Sequence, residues 1–138
     1  MTSIEKPAPR INSINRPFFE GCNGDRLMLQ RCRTPSCGRS IYFPRVCCPH
    51  CGGGELEWFE ASGEGVIVTY TVIHRPNHPS FFPEAPYHFV AVRLKEGSLI
   101  YSRLVDPPPA DPHLIGRAVR VVFVPYTQSQ KLPFFKTV

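Results

Sequence analysis

The sequence predicts a mainly β protein, with a small metal-binding ribbon followed by a closed or partly closed five-stranded β-barrel. Three observations carry that expectation. Sixteen prolines and ten glycines among 138 residues punctuate nearly every segment and leave room for few long helices. Two close pairs of cysteines lie in the first half of the chain. The second half holds runs of β-branched and aromatic residues bounded by turn residues, the pattern of strands.

Residues 1–16 are polar, with scattered apolar positions and Pro7 and Pro9, and read as an extended arm that orders against a partner. Pro17 suits the start of a short helix over 17–28, where its missing N–H costs nothing. Gly21 and Gly24 weaken that helix. The metal module runs over Leu27–Trp58, with Ser40–Val46 as strand material between its cysteine pairs. Gly65–Ile73 is a long β-branched and aromatic run, hence a strand. Phe89–Leu94 is a second strand and Ser98–Val105 a third, joined through Glu96-Gly97 as a hairpin. Ala118–Val124 is the fourth and Leu132–Lys136 a short fifth. Pro107–Pro109 reads as a stiff surface connection, with Asp106 and Asp111 as turn residues beside it. The expected division is an arm and short helix over 1–28, a ribbon over 29–58 and a barrel over 59–138.

The cysteines read Cys32-Arg-Thr-Pro-Ser-Cys37-Gly38, then Cys48-Pro-His-Cys51-Gly52. Two close pairs on either side of a short hairpin match the layout of a zinc ribbon, in which four thiolates surround the ion as a tetrahedron. Gly38 and Gly52 follow the second cysteine of each pair and permit left-handed backbone there. Cys47 could in principle replace Cys48, but the Cys-x-x-Cys-Gly spacing favours Cys48. Cys22 and Cys47 are then spare thiols, and His50 lies inside the second turn. Four thiolates leave zinc no open position for water, so its role is structural.

Met1–Pro17 carries Glu5, Lys6 and Pro7 where an export signal needs an apolar stretch, and no run is long enough to span a membrane. A cytoplasmic location is the expectation, and there metal binding explains the cysteines better than disulfides do. The formal charge of +5 falls to about +3 once four thiolates and a divalent ion are counted. That mild excess suits an anionic ligand such as a nucleotide. The basic residues do not cluster along the sequence, which makes nucleic acid an unlikely partner.

No catalytic constellation is legible. His74, His78, His88 and His113 stand apart from any recognisable nucleophile. Gly52-Gly53-Gly54 lacks the Lys-Ser/Thr of a phosphate loop. The stretch Ile73–Phe89 is unusual for its prolines and its adjacent Phe81 and Phe82. It reads equally as a loop folded back over the barrel and as a partner or ligand surface.

A set of motifs in order from about residue 17 to the end resembles one known family. They are Phe18-Phe-Glu-Gly21, Leu27-Met-Leu-Gln-Arg-Cys32, Phe43-Pro44-Arg45, Cys48-Pro-His-Cys51-Gly52, Leu56-Glu-Trp58, Gly63-Glu-Gly-Val66, Ala85-Pro86-Tyr87, and Ile115-Gly116 with Val119-Arg-Val121. The family is the acyl-CoA-associated domain-of-unknown-function family thirty-five. The resemblance implies a rubredoxin-like zinc ribbon with Cys32, Cys37, Cys48 and Cys51 as ligands, followed by an OB-fold barrel. The first cysteine pair has four intervening residues where two are usual, so its turn should be looser.

The resemblance also implies a working context. Such proteins are small subunits beside thiolase-like or hydratase-type enzymes in lipid, sterol or aromatic side-chain metabolism, and some help bind or channel acyl-CoA. The expected function is therefore that of a non-catalytic accessory subunit, with Arg31, Arg39 and Arg45 as candidate contacts to the phosphates of CoA. The alternative is a single-stranded nucleic-acid module that stacks bases on Phe81, Phe82, Tyr87 and Tyr101. An independent hydratase or hydrolase would need a general base that the sequence does not display.

Overall fold

The computed structural model describes residues 4–107 and 113–138. Pro108, Pro109 and Asp111, part of the expected stiff connection, lie outside the described residues.

Helix α1 spans Arg16–Asn23, with Pro17 in its first turn. It stops short of the expected residue 28. Gly24 caps it, and Asp25 takes a left-handed φ of 59°, which turns the chain into the next strand. The helix buries Phe18, Phe19, Gly21 and Cys22 and exposes its polar side. Cys22 is fully buried, and burial pushes its thiol up to about 12.

Strands β1 (Met28–Cys32), β2 (Ser40–Ile41) and β3 (Leu56–Glu60) form an antiparallel sheet in the order β2-β1-β3. The expected strand over Ser40–Val46 ends at Ile41. Pro44 has no N–H to give a ladder. The buried Gln30 side chain takes over instead. Its Oε1 accepts from the Arg45 N–H at 2.7 Å, and its Nε2 donates to the Arg45 carbonyl at 3.0 Å.

The barrel is β4 (Glu64–Ile73), β5 (Tyr87–Leu94), β6 (Leu99–Leu104), β7 (Ala118–Pro125) and β8 (Lys131–Thr137). It closes in the order β4-β5-β6-β8-β7. Every pairing is antiparallel except β6 with β8, which meet in parallel at Leu104 and Phe135. This is the five-stranded OB arrangement. An irregularity in β4 between Ile67 and Thr69 helps the long first strand to curve around the barrel. A 3₁₀ turn, Pro79–Glu84, occupies the β4–β5 connection.

One apolar core runs through both parts. Ile67, Val90, Val92, Ile100, Leu104, Val119 and Phe135 fill the barrel, and Phe18 and Phe19 of α1, Leu27 just before β1 and Leu29 within it join the same cluster. The ribbon has a separate, small cluster of Cys32, Ile41 and Cys48, backed by Cys37 and Leu56.

The arm is not left waiting for a partner. It lies against the chain's own barrel, with the Lys6 ammonium 2.7 Å from Glu84 and the Pro7 carbonyl accepting from the Tyr126 hydroxyl at 2.8 Å.

Candidate functional site

Two tight turns bring the four cysteines together. β1 delivers Cys32 at its last residue, and the turn after it returns Cys37 through a Cys37 N–H to Thr34 carbonyl bond of 2.9 Å. The second turn closes when the Gly52 N–H bonds to the Cys48 carbonyl at 2.8 Å. Gly38 and Gly52 adopt φ of +65° and +80°, the left-handed backbone expected there.

The sulfurs of Cys32, Cys37, Cys48 and Cys51 all lie within 4.8 Å of one another. Cys32 and Cys51 approach to 3.5 Å, and Cys37 and Cys48 to 3.7 Å. A zinc tetrahedron with bonds of about 2.3 Å has sulfur–sulfur edges of about 3.8 Å, so the cage fits that ion. The backbone N–H groups of His50 and Gly53 donate to Cys48 and Cys51 at 3.3 and 3.4 Å. Cys47 is exposed and outside the group.

The thiols cannot all ionise freely. Hydrogen bonds from the Thr34 hydroxyl and backbone hold Cys32 down to about 6. At Cys37 the Arg39 backbone N–H favours the thiolate, yet burial and the neighbouring sulfurs outweigh it and push the thiol up to about 11. A divalent cation is the natural way to relieve four crowded sulfurs.

Between ribbon and barrel lies a cleft of about 630 Å³, lined by Arg31, Arg39, His50, Arg93, Ser98 and Tyr42 among others. Arg31 rests its guanidinium 4.4 Å from the centre of the Phe59 ring. Arg39 lies 3.3 Å from His50 Nδ1. The structure thus brings two of the three expected arginines together. Arg45 is exposed but does not line this cleft, and Arg93 on β5 takes the third place. Sequence reading missed Arg93 because only the fold sets β5 against the ribbon. Across the cleft, the Ser40 and Ser98 hydroxyls join β2 to β6's approach at 2.7 Å.

A second, apolar cleft of about 430 Å³ shares Tyr42 with the first. Phe89 and Tyr101 stand on its sheet face, their ring planes within 5° and centroids 6.0 Å apart. Both are well exposed, at 41% and 57%. Arg103 sits over the Tyr87 ring at 4.2 Å and pairs with Glu84 at 2.7 Å. The two readings of the Ile73–Phe89 stretch divide between its phenylalanines. Phe81 folds back and stacks on Tyr126, whereas Phe82 is 53% exposed. His78 caps the 3₁₀ turn through Ser80, and His88 stacks on Tyr70.

No helix among the described residues is long and apolar enough to cross a membrane.

Comparison with known proteins follows the same division. Residues 19–57 match the family model described as "ChsH2, rubredoxin-like zinc ribbon domain", and residues 58–124 match "ChsH2, C-terminal OB-fold domain". The chain is 37% identical over 131 residues to a protein of Thermomonospora curvata named "Probable enoyl-CoA hydratase alpha subunit". The match takes in 95% of this chain but only 40% of that protein's length. It is 42% identical over 100 residues to a "DUF35 domain-containing scaffold protein" of Methanothermobacter thermautotrophicus, covering 71% of this chain and 73% of the relative. Among solved structures, one titled "Ltp2-ChsH2(DUF35) aldolase" superposes with a TM-score of 0.79 at 36% identity, over 94% of this chain and 98% of that one. A DUF35 protein of Sulfolobus solfataricus shares the fold alone, with a TM-score of 0.58 at 16% identity over 88% and 83% of the two chains. With its zinc-ribbon turns, its OB barrel and these relatives, the chain belongs to the DUF35 family of ChsH2-type proteins.

Proposed function

We propose that this chain is a zinc-holding, non-catalytic accessory subunit that assembles with an acyl-CoA-processing enzyme of thiolase-like or hydratase type and helps to bind or channel the acyl-CoA. The setting would be lipid, sterol or aromatic side-chain metabolism in the cytoplasm. The observation that carries this reading is the arginine cleft and the apolar cleft, whose linings share Tyr42. An acyl-CoA needs both surfaces, a cationic one for phosphates and an apolar one for the chain. Arg31, Arg39 and Arg93 supply the first. The partner enzyme supplies the chemistry. Relatives named as a hydratase subunit and as part of an aldolase complex support the assembly.

Cys32, Cys37, Cys48 and Cys51 would hold zinc. The ion fixes the two turns that carry Arg39 and His50 and takes no part in bond-breaking, because its four protein ligands fill the coordination shell. The test is affinity purification of the tagged chain from its native extract in zinc-containing buffer. Recovery of an acyl-CoA enzyme in near-equal amount is expected. If that enzyme shows the same activity and CoA affinity with and without the subunit, the proposal fails.

One observation favours a second reading, a single-stranded nucleic-acid module. Phe89 and Tyr101 lie exposed and parallel on the β5–β6 face, where OB barrels stack bases. Binding to oligonucleotides with a steep salt dependence would support it. Flat titrations at low salt would remove it.

A further inference from the structure

The reading above leaves the arm unused. Its residues Pro7, Ala8 and Pro9 line the apolar cleft together with Phe81 and Tyr126, whose rings stack at 6.2 Å with planes 23° apart. Three contacts hold it. The Tyr126 hydroxyl donates to the Pro7 carbonyl at 2.8 Å. The Lys6 ammonium lies 5.6 and 5.5 Å from the two ring centroids. The same ammonium pairs with Glu84 at 2.7 Å. Burial alone would raise the Glu84 carboxyl, but hydrogen bonds and charge from Lys6 and Arg103 hold it below the usual carboxylate range.

These are the parts of a proline-segment receptor. Flat aromatic walls accept pyrrolidine rings. A phenol donates to a carbonyl that has no helix or sheet partner. A carboxylate receives the cation beside the proline. Extended proline segments suit such grooves because they are already ordered before binding. The arm covers only part of the surface, since the cleft runs on to Phe89 and Tyr101, which stay exposed.

We propose that this cleft is a recognition site for an extended proline-bearing segment with a lysine or arginine beside the proline, and that the chain's own arm fills its Tyr126 end until a partner's segment displaces it. The proposal does not rest on the acyl-CoA reading: it gives the Phe81–Tyr126 wall to a partner's segment and leaves the Phe89–Tyr101 wall to an acyl chain. It specifies a partner surface by its chemistry, whichever enzyme carries it. A tethered arm competes at an effective concentration on the order of millimolar, so the free cleft must bind a segment in trans far better than the strapped one.

The test uses the full chain with the arm released by Lys6→Glu and Pro7→Gly, and a synthetic peptide of residues 4–12 as probe. Circular dichroism first shows that the released variant keeps the fold. Calorimetry should then give it an affinity at least about tenfold tighter than wild type. Replacing both peptide prolines by alanine, or adding Tyr126→Phe to the released variant, should each cost several-fold. Failure of the folded variant to bind, equal binding by wild type, or indifference to the prolines overturns the proposal. Light scattering provides a further check. An arm-exchanged dimer of wild type would assign the cleft to a second copy and overturn the partner assignment.

Discussion

Chelating the metal should melt the two cysteine turns, residues 33–39 and 47–55, while the barrel stays closed. The ribbon's own cluster contains one fully buried hydrophobe besides cysteine, Ile41. Its burial is worth about 1.5–3 kcal/mol. Holding both turns in one conformation costs on the order of 15 kcal/mol at about 1 kcal/mol per residue. A structural zinc site supplies about 10–16 kcal/mol, which is the scale needed. The barrel depends on a different cluster, which includes Val90, Ile100 and Phe135 and none of the cage cysteines. Hydrogen exchange before and after chelation reads the two regions separately. Amides of the turns should lose their protection, and those of β5 and β6 should keep theirs. Native mass spectrometry should show one zinc lost per chain. Cys48→Ser should reproduce the effect, whereas Cys47→Ser should not, because Cys47 lies outside the cage. Turns that remain protected in metal-free protein, or a barrel that melts along with them, would refute the reasoning.

Three further outcomes follow from the same geometry. Gln30→Leu removes both hydrogen bonds to the Arg45 backbone and should cost about 2 kcal/mol in urea denaturation, with a loss under about 0.5 kcal/mol arguing against it. Alkaline pH should destabilise the fold, because burial pushes Cys22 to about 12, and burial together with the Cys22 charge raises Tyr42 to about 12. Both groups sit above their ordinary values of 9.0 and 10.0, so their contribution is whole below about pH 9 and is lost as pH rises towards 12. The slope is up to about 1.4 kcal/mol per pH unit for each proton, and a Cys22→Ala variant with an unchanged slope would contradict the assignment of Cys22. Arg39→Glu combined with Arg93→Glu should weaken CoA binding by the assembled complex about a hundredfold, as expected for two lost charge-assisted contacts of about 1.5 kcal/mol each; unchanged affinity in an intact complex would remove the cleft from the site.

The barrel was legible because each of its strands carries its own signal. Glu64–Ile73 and Ala118–Pro125 are rich in β-branched and aromatic residues, and their ends fall within a residue or so of the expected ones. The cysteine cage was legible for a similar reason, since spacing and glycines set its turns locally. β1 and β3 were not. Met28–Cys32 and Leu56–Glu60 mix Gln30, Arg31, Glu57 and Glu60 with apolar residues that serve two different clusters, so neither shows a clean alternation. Their pairing, from Met28 with Glu60 to Cys32 with Leu56, makes them strands. The over-long strand from Ser40 failed because a side chain, Gln30, does the work of a ladder. The arginine cleft lay beyond any local reading, since Arg93 reaches Arg31 and Arg39 only when the barrel meets the ribbon.

The shared core has a practical consequence for anyone who wishes to cut this protein apart. Phe18, Phe19, Leu27 and Leu29 pack in the same cluster as the barrel's interior although they precede Cys32, the first cysteine of the cage. The Gln130 amide ties the same helix to the far end of the barrel, donating to the Phe19 carbonyl at 3.0 Å. A fragment expressed from residue 59 onward would therefore begin life with an open, greasy end and would tend to precipitate. A fragment stopping at residue 58 would have apolar side chains with nothing to cover. The metal-bearing half and the barrel half are stitched by a segment lying upstream of both, so excision at the visible boundary severs a seam that both halves need.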